Sequence, residues 1–496
     1  MAGVDRAAHT TGTQLHFASA LDAAHAICTR QVSSVELTGQ VLQRIDAINP
    51  KLNAYVTLIS GEAMERARHA DDALARGEWW GPLHGVPCSV KDTFETAGVR
   101  TTAGAIPDHI PDEDAPAVAR LKSAGAIILG KTNVPPMAAD WQSYNEIFGT
   151  ANNPWDLART PGGSSGGEAA AVAAGLSFVG IGSDIGGSIR IPAHFCGVYG
   201  HKPTLGVVPL RGHIPPPPGM PQRPLAMSVG DLPVAGPLAR SASDLKTALE
   251  ILGGPDSHDA AAYRWSLPQP RRSRLADYRI GYVLDDPLCP VSSPVKSVLG
   301  NAVDALRQAG ARLDEGWPAG LDPAQQVETY RYMIFAVMAL FMRPEDVQQA
   351  RASAASGDPV GKAMEMAITA PHSVFYQANS RRCASLALWQ EYFRTHDAFL
   401  LPAAYTPAFA HDHRAPMEIR TIATPEGERS YMDLLFWMTP ATLNGLPATV
   451  APAGFTPERL PVGLQILGPY LEDATPIDLV GRLADLIGGF QPPRGY

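Results

Sequence analysis

A pair of serines framed by glycines imposes the strongest local constraint on this chain. Residues 162–175 read GGSSGGEAAAVAAG, with two serines between two glycine pairs and an alanine-rich run directly after them. Gly/Ser-rich segments usually act as flexible linkers, but the alanine run predicts a helix that begins inside this segment. Ser165 and Glu168 stand at capping-box spacing. We therefore predict a loop of defined backbone geometry that leads into a helix N-terminus, where free N–H donors collect.

A second glycine-rich turn follows shortly after the serine pair. An apolar segment, LSFVGIGS, predicts a strand that runs into SDIGGSIR at residues 183–190 and reaches Ser188. Successive N–H groups in such a turn can point to one place and form an anion-binding nest. Beside a serine hydroxyl, a nest of this kind can act as an oxyanion hole for acyl transfer. Taken alone, the segment is also compatible with an ordinary strand-ending turn.

A serine nucleophile needs a base, and the sequence offers both histidine and lysine candidates. His194 and His201 are close in sequence, but no GxSxG elbow surrounds Ser188, which disfavours an α/β-hydrolase. Lys91 follows the apolar strand VPCSV, where burial would lower its pKa and leave the amine neutral. A strand-end lysine on its own more often reaches solvent.

Helices and strands alternate around these motifs. Ser33 and Glu36 form a predicted capping box at the start of an early helix. From residue 115 the pattern is helix, strand, loop, helix and strand, which predicts crossover connections and parallel strands. The stretch 320–395 is mostly helical, and two strands and a helix are predicted near the C-terminus.

Composition excludes several classes of function. A net charge of −9 gives no electrostatic reason to expect a nucleic-acid partner, which needs a basic face, so none is expected. Five scattered cysteines without a CxxC pair favour a reducing compartment, and a cytoplasmic location is expected. The longest apolar run, residues 332–342, is shorter than the roughly 20 residues that span a bilayer. It is interpreted as a core helix, with a substrate wall or a membrane-touching cap as alternatives.

Two motif matches are interpreted as structural. GAIILGKT, residues 125–132, matches a phosphate-loop pattern, but its middle residues form the strand itself and prolines follow, so nucleotide binding is not expected. The HDH segment at residues 411–413 lacks a set of zinc-binding partners and is interpreted as a solvated loop. No metal is expected.

The main motifs together resemble the amidase signature family. They are the strand ending in VKD, then PGGSSGGE, then GSDIGGSIRIPAHFCGVYGHKPT, and the match is dense over residues 80–204. The resemblance implies a single large α/β domain over residues 1–496, with a mixed central β-sheet covered by helices on both faces. The expected regions are an N-terminal helical part (1–75), the catalytic core motifs (76–255), a variable and largely helical substrate-site or cap region (256–425), and a C-terminal return to the core (426–496).

The resemblance also implies a role for each matching residue. Ser188 corresponds to the nucleophile, Ser164 to the bridging serine held by a cis peptide bond, and Lys91 to the base. The implied oxyanion hole consists of the backbone N–H groups of Ile185, Gly186, Gly187 and Ser188. The implied supporting residues are Ser165, Asp184 and Arg190. Two departures from the family pattern, at Ser183 and His201, are expected not to touch the triad.

These roles predict a hydrolase that cleaves the C–N bond of amides through an acyl-enzyme, without a cofactor. Met137, Trp141 and Tyr144 are candidate substrate-binding residues, with core packing as the alternative. Together with the apolar run and a proline-rich loop at residues 211–225, they would favour bulky aryl or aliphatic amides. That loop could equally be a linker.

Other functions are also compatible with these motifs. The same triad can cleave carbamates, so a urethane hydrolase is the first alternative, and a glutamine-hydrolysing subunit of a tRNA-dependent amidotransferase is less favoured. The expected partner is a small-molecule amide or carbamate, with no nucleic acid and no membrane span. A monomer or homodimer is expected.

Overall fold

A mixed sheet of eleven strands organises the part of the chain that the computed structural model describes, residues 15–215, 218, 231–340, 342, 344–357 and 359–496. The strand order is β1-β3-β2-β6-β8-β7-β14-β15-β11-β9-β10. These strands are β1 (Tyr55–Leu58), β2 (Pro87–Lys91), β3 (Ile127–Thr132), β6 (Val179–Asp184), β7 (Tyr199–Lys202), β8 (Val234–Ala239), β9 (Arg279–Tyr282), β10 (Arg312–Glu315), β11 (Ala398–Pro402), β14 (Ala448–Phe455) and β15 (Pro461–Leu467). Two small hairpins consist of β4 (Tyr144–Asn145) with β5 (Gly149–Thr150), and β12 (Thr421–Thr424) with β13 (Gly427–Ser430).

Helices cover both faces of this sheet, which confirms the predicted fold class. Within the described residues they are α1 (Ala20–Cys28), α2 (Ser34–Leu52), α3 (Ser60–Ala75), α4 (Pro116–Ser123), α5 (Gly166–Ala173), α6 (Arg190–Cys196), α7 (Ala242–Leu252), α8 (Ser293–Gln308), α9 (Pro323–Ala339), α10 (Pro344–Ala355), α11 (Pro359–Thr369), α12 (His372–Tyr392), α13 (Thr439–Leu443) and α14 (Ala474–Ile487). No helix in these ranges is both long and apolar enough to cross a membrane.

The predicted parallel strands lie where the sequence motifs meet. β2 pairs in parallel with β3 on one side and with β6 on the other. Every residue of these three strands is buried, as expected for parallel strands that are covered on both faces. Their carboxyl ends lie at the same edge of the sheet, so Lys91 at the end of β2 lies beside the end of β6.

The two predicted capping boxes have different outcomes. At α2 the prediction is confirmed, because Ser33 Oγ accepts from the Glu36 amide at 3.0 Å and Glu36 accepts from the Ser33 amide at 2.8 Å. At α5 the prediction is wrong, since Ser165 makes no side-chain cap bond. The Glu168 carboxylate is buried against the sheet, where it accepts from Thr132 Oγ1 at 2.7 Å and from Ser89, so it cannot reach back to the helix start.

The middle of the chain contributes more to the sheet than its helical pattern indicated. The region 256–425 contains α8–α12, but also β9, β10 and β11, which form one end of the central sheet. Those three strands were not predicted. The division of the domain into four regions stays a prediction.

Two other segments behave as the pattern indicated. The phosphate-loop-like residues 125–132 include strand β3, and Lys131 is buried, donating to Thr96 Oγ1 at 3.0 Å. The first part of the apolar run, Tyr332 to Phe335, is buried in α9. Ile334, Phe335 and Met338 also line the pocket described below, so the substrate wall stays an alternative to the core helix. Of the proline-rich loop, residues 211–215 and 218 are described, and the remainder of 211–225 lies outside the described residues.

Candidate active site

Lys91 lies at the centre of the candidate site. It ends β2 and is completely buried, with its Nζ 2.7 Å from Ser164 Oγ and 2.9 Å from Ser183 Oγ. Burial lowers the pKa of Lys91 to about 7, although the negative charges of Asp184 and Glu168 partly oppose this shift. A lysine with such a pKa is largely neutral slightly above neutral pH and can accept a proton.

The serine doublet is held in a tightly packed loop. The peptide bond between Gly163 and Ser164 is cis. A Cβ atom at Gly163 would lie 2.6 Å from the backbone nitrogen of Gln142, so only glycine fits there without a shift of the backbone. Ser143 Oγ donates to the Gly162 carbonyl at 3.0 Å and accepts from the Gly166 amide at 3.0 Å. The loop is therefore not a linker.

The turn that carries Ser188 is joined to the doublet through the backbone. The Ser165 amide donates to the Ser188 carbonyl at 3.1 Å, and Ser165 Oγ donates to the Ser183 carbonyl at 3.4 Å. Ser188 is 5% exposed and lines a pocket, whereas Ser164 lies deeper, at 1%. Ser188 is thus the serine that contacts the pocket, and Ser164 is the one that contacts the lysine.

A buried ion pair holds this turn in place. Asp184 and Arg190 are 2.7 Å apart and both fully buried. Burial raises the pKa of the Asp184 carboxyl, but the adjacent Arg190 guanidinium outweighs it and leaves the pKa below its usual value. Arg190 also donates to Gln465 Oε1 at 2.8 Å and to Thr442 Oγ1 at 2.7 Å, which links the turn to β15 and α13.

The predicted oxyanion hole has fewer free amides than expected. The Gly187 amide donates to Asp184 Oδ1 at 3.0 Å, with Gly187 at a φ of 99°, so this N–H is not available in the structure. The amides of Ile185, Gly186 and Ser188 have no hydrogen-bond partner among the described residues. These three remain the candidate donors for an oxyanion.

One of the three predicted substrate-binding residues lines the pocket at Ser188. This residue is Trp141, whose indole N–H donates to the Gly186 carbonyl at 2.7 Å. Tyr144 is not part of the described pocket lining, because its hydroxyl donates to Asp140 at 3.0 Å and its ring stacks on His413 at 3.7 Å. Met137, at a φ of 51°, is also absent from the described lining.

The opposite side of the pocket, which we call the methionine wall, comes from elements outside the matched motifs. It consists of Ile334, Phe335, Met338, Met364, Met417, Met432 and Leu435. The enclosed volume is about 70 Å³, but Met364, Met417 and Glu418 are shared with an adjoining cavity of about 500 Å³. We call the loops 162–166 and 183–190, together with Lys91, the polar wall.

Two parts of the site differ from what the sequence indicated. Ser183 does touch the triad, since it accepts from Lys91, and His213 Nε2 lies 2.8 Å from the same Ser183 hydroxyl. The expectation that Ser183 stands apart is therefore wrong, and His213 was not identified. His201 instead pairs with Asp473 at 3.1 Å, away from the triad, as expected.

The HDH segment is not a solvated loop. His413 stacks on Tyr144, and the Asp412 amide donates to Gln142 Oε1 at 3.0 Å, so this loop packs on the segment before the serine doublet. No group of three or more His, Cys, Asp or Glu side chains in the described ranges could hold a metal ion.

Known proteins resemble this chain over most of its length. A family model described as Amidase matches residues 36–476. The chain is 32% identical over 489 residues to a protein of Carboxydothermus hydrogenoformans that is named as a subunit of glutamyl-tRNA(Gln) amidotransferase, covering 93% of this chain and 96% of that protein.

Solved structures give the same result. A crystal structure described as an amidase has a TM-score of 0.76 and 29% identity, covering 95% of this chain and all of that one. A bacterial aryl acylamidase of the amidase signature family has a TM-score of 0.79 and 25% identity, covering 95% of this chain and 96% of that one.

Proposed function

The chain belongs to the amidase family, and we propose that it hydrolyses the C–N bond of amides through an acyl-enzyme formed on Ser188. The observation that carries this proposal is the buried Lys91 amine. Its pKa is lowered to about 7, and it lies 2.7 Å from Ser164 Oγ in the loop that contacts the Ser188 turn. A base, a hydroxyl relay and a nucleophile are what acyl transfer needs.

The first half of the proposed reaction forms the acyl-enzyme. Neutral Lys91 accepts the Ser164 proton while Ser164 accepts the proton of Ser188, and the Ser188 oxygen attacks the amide carbonyl carbon. The carbonyl oxygen becomes an oxyanion, which the amides of Ile185, Gly186 and Ser188 stabilise. The proton then returns from Lys91 through Ser164 to the leaving nitrogen, the C–N bond breaks and the amine departs.

The second half regenerates the enzyme. A water molecule gives its proton through Ser164 to Lys91 and attacks the acyl carbonyl. The tetrahedral intermediate collapses, Ser188 recovers its proton, and a carboxylic acid is released. Asp184, Arg190 and Ser165 act in this scheme as positioning residues for the Ser188 turn.

The pocket supports an apolar substrate group. Trp141 and the methionine wall surround the nucleophile with hydrocarbon and thioether, and the enclosed volume of about 70 Å³ is small for a bulky group. Methionine side chains rearrange readily, and the wall is shared with a cavity of about 500 Å³. We therefore propose that amides with an aryl or aliphatic group bind here, with carbamates as an alternative because the same triad can attack their carbonyl.

A second candidate is the glutamine-hydrolysing amidotransferase subunit that the family resemblance implies, and the Carboxydothermus relative is named as a subunit of glutamyl-tRNA(Gln) amidotransferase. Glutamine carries an α-carboxylate, which needs a cationic or strongly donating partner. The charged residues in the described lining are Asp140, which is paired with Arg420 at 2.6 Å, and Glu418. Because neither is a cation, the lining supports an apolar amide over glutamine.

A substrate panel tests this proposal. Hydrolysis of anilides, aliphatic amides, aryl carbamates, p-nitrophenyl esters and L-glutamine is measured for the wild type, Ser188→Ala and a matched control, Ser292→Ala. Ser292 is buried, and its hydroxyl has no partner among the described residues. We expect turnover of anilides or aliphatic amides that Ser188→Ala lacks and Ser292→Ala retains.

Intact-mass measurement makes the test independent of turnover. On mixing with a p-nitrophenyl ester, the wild type should gain the mass of one acyl group, and Ser188→Ala should not. Wild-type rates in Ser188→Ala would refute the nucleophile assignment, whereas a clear preference for L-glutamine would favour the amidotransferase subunit instead.

A further inference from the structure

His213 is a buried histidine with no assigned role that lies two hydrogen bonds from the proposed base. It belongs to the described start of the proline-rich loop, where its Nδ1 is 3.1 Å from the Pro215 carbonyl and its Nε2 is 2.8 Å from Ser183 Oγ. Its ring also packs edge-on against Phe94 at 4.9 Å. Ser183 in turn accepts from Lys91 Nζ at 2.9 Å.

The position of His213 is fixed by the backbone. The Ile214 amide donates to the Thr93 carbonyl at 2.7 Å, and the Glu95 amide donates to the Gly212 carbonyl at 2.8 Å. Both partners follow Lys91 closely in the chain. The imidazole is thus attached to the same segment that carries the lysine, so its distance from Ser183 is set by the fold.

The hydrogen bonds of His213 have a defined direction. A carbonyl oxygen can only accept, so the Pro215 contact requires the proton on Nδ1, which leaves Nε2 as an acceptor in the neutral ring. Burial, together with the nearby Lys91, lowers the pKa of His213 to about 3, which keeps the ring neutral. Nε2 therefore accepts from the Ser183 hydroxyl.

This direction has a consequence for the lysine. Ser183 has a single hydroxyl proton, and once it is donated to His213 the Ser183 oxygen can only accept from Lys91. A neutral amine has two N–H groups and one lone pair. With Ser183 unable to donate to it, that lone pair remains for the hydroxyl of Ser164, 2.7 Å away.

Resting on the function proposed above, we infer that His213 is a positioning residue that withholds the Ser183 proton from Lys91 and so keeps the lysine lone pair directed at Ser164. His213 touches neither the substrate nor the reacting atoms. Without it, Ser183 can donate to the amine and compete with the proton relay.

A matched pair of substitutions tests the acceptor. His213→Gln keeps an oxygen that can accept from Ser183, whereas His213→Leu has similar size and no acceptor. At a pH well above the pKa of Lys91 we expect His213→Leu to lower kcat on the order of tenfold with KM nearly unchanged, and His213→Gln to recover most of it. Equal losses in both variants, or a loss confined to KM, would overturn the inference.

A double-mutant cycle separates this role from simple packing. If His213 acts only through the Ser183 proton, His213→Leu should lower kcat in the wild type but have no further effect in Ser183→Ala. Multiplicative losses would show that the histidine acts by another route. If His213→Leu does not fold, as judged by its melting temperature, His213→Asn replaces it, since its shorter amide still reaches toward Pro215 but not Ser183.

The parent proposal is checked in the same assay. Full amide-hydrolysing activity in Lys91→Ala would refute the base assignment on which this inference rests, and no turnover of any amide by the wild type would refute the proposed function itself. Loss of activity in Lys91→Ala together with multiplicative effects in the cycle would refute the role of His213 alone.

Discussion

The polar wall and the methionine wall face the same pocket but are built differently. In the polar wall, main-chain and side-chain hydrogen bonds fix each group, as in the 2.7 Å contact between Lys91 and Ser164 and the buried Asp184–Arg190 pair. In the methionine wall, half-buried side chains such as Met338 and Met364 make apolar contacts from helices α9 and α11. The comparison supports the proposal that fixed polar geometry sets the reaction, whereas a surface that can adapt sets the substrate range.

The largest expected effect on kcat/KM is that of replacing the lysine of the polar wall. Lys91→Arg should lower kcat/KM by about 10³-fold, since a guanidinium stays charged and cannot accept the Ser164 proton. Lys362→Arg, the same change at an exposed residue of α11, is the matched control and should have wild-type kinetics. Steady-state kinetics on the best amide of the panel provides the measurement. More than a tenth of the wild-type value in Lys91→Arg would contradict the base assignment.

Breaking the buried ion pair of the polar wall should lower the free energy of unfolding more than breaking an exposed ion pair elsewhere on the molecule. Asp184→Asn leaves Arg190 buried without its charged partner, which typically costs about 3–5 kcal/mol. Glu391→Gln, in the exposed Glu391–Arg394 pair at the C-terminal end of α12, should have no measurable effect. Urea unfolding followed by circular dichroism compares the two. Similar midpoints for both variants would show that the Asp184–Arg190 pair does not hold the turn.

The polar wall was also the part that the sequence predicted best. Lys91, Ser164 and Ser188 stand in long local motifs, each near the end of a strand or the start of a helix. Their roles were implied by the resemblance of these motifs to the amidase signature family and stay a prediction. Ser183 could have been identified, because parallel β2 and β6 end at one edge and bring Ser183 beside Lys91. His213 could not have been identified in this way, since it lies in an irregular loop and no periodic sequence pattern indicates where such a loop runs.

Errors arose where tertiary contacts override local preference. Ser165 and Glu168 have the spacing of a capping box, but burial directs the Glu168 carboxylate toward Ser89 and Thr132 instead. Tyr144 precedes the doublet as Trp141 does, yet it binds Asp140 and stacks on His413. The residues of the methionine wall come from segments far apart in sequence. The apolar run at residues 332–342 suggested that an apolar surface exists, but no sequence pattern indicated which residues of the other segments join it.

The pH dependence of activity should follow the polar wall alone. Burial lowers the pKa of Lys91 from its ordinary value to about 7, and only the neutral amine can accept a proton. Activity should therefore rise with pH and level off above this pKa, and below it kcat/KM should fall about tenfold per pH unit. Met338→Leu should leave the profile unchanged. A profile that levels off only near the pKa of an exposed lysine would show that Lys91 is not desolvated during catalysis.

The smallest expected effect concerns selectivity at the methionine wall. Met338 lies on α9 and borders a pocket of only about 70 Å³, so Met338→Ala should make room for larger groups. We expect the ratio of kcat/KM for a long-chain amide to that for a short-chain amide to rise about tenfold, the lower end of the discrimination that one methylene provides in an apolar pocket.

Met338→Leu is the matched control for that change. Leucine conserves volume and hydrophobicity, so the ratio should stay within about twofold of the wild type. If Met338→Ala instead lowers kcat/KM for long and short amides equally, α9 supports the Ser188 turn rather than selecting the substrate. The Tyr330 hydroxyl, which donates to the Ile185 carbonyl, would then connect α9 to that turn. The separation of chemistry from selectivity would then fail at α9, because one helix would serve both walls.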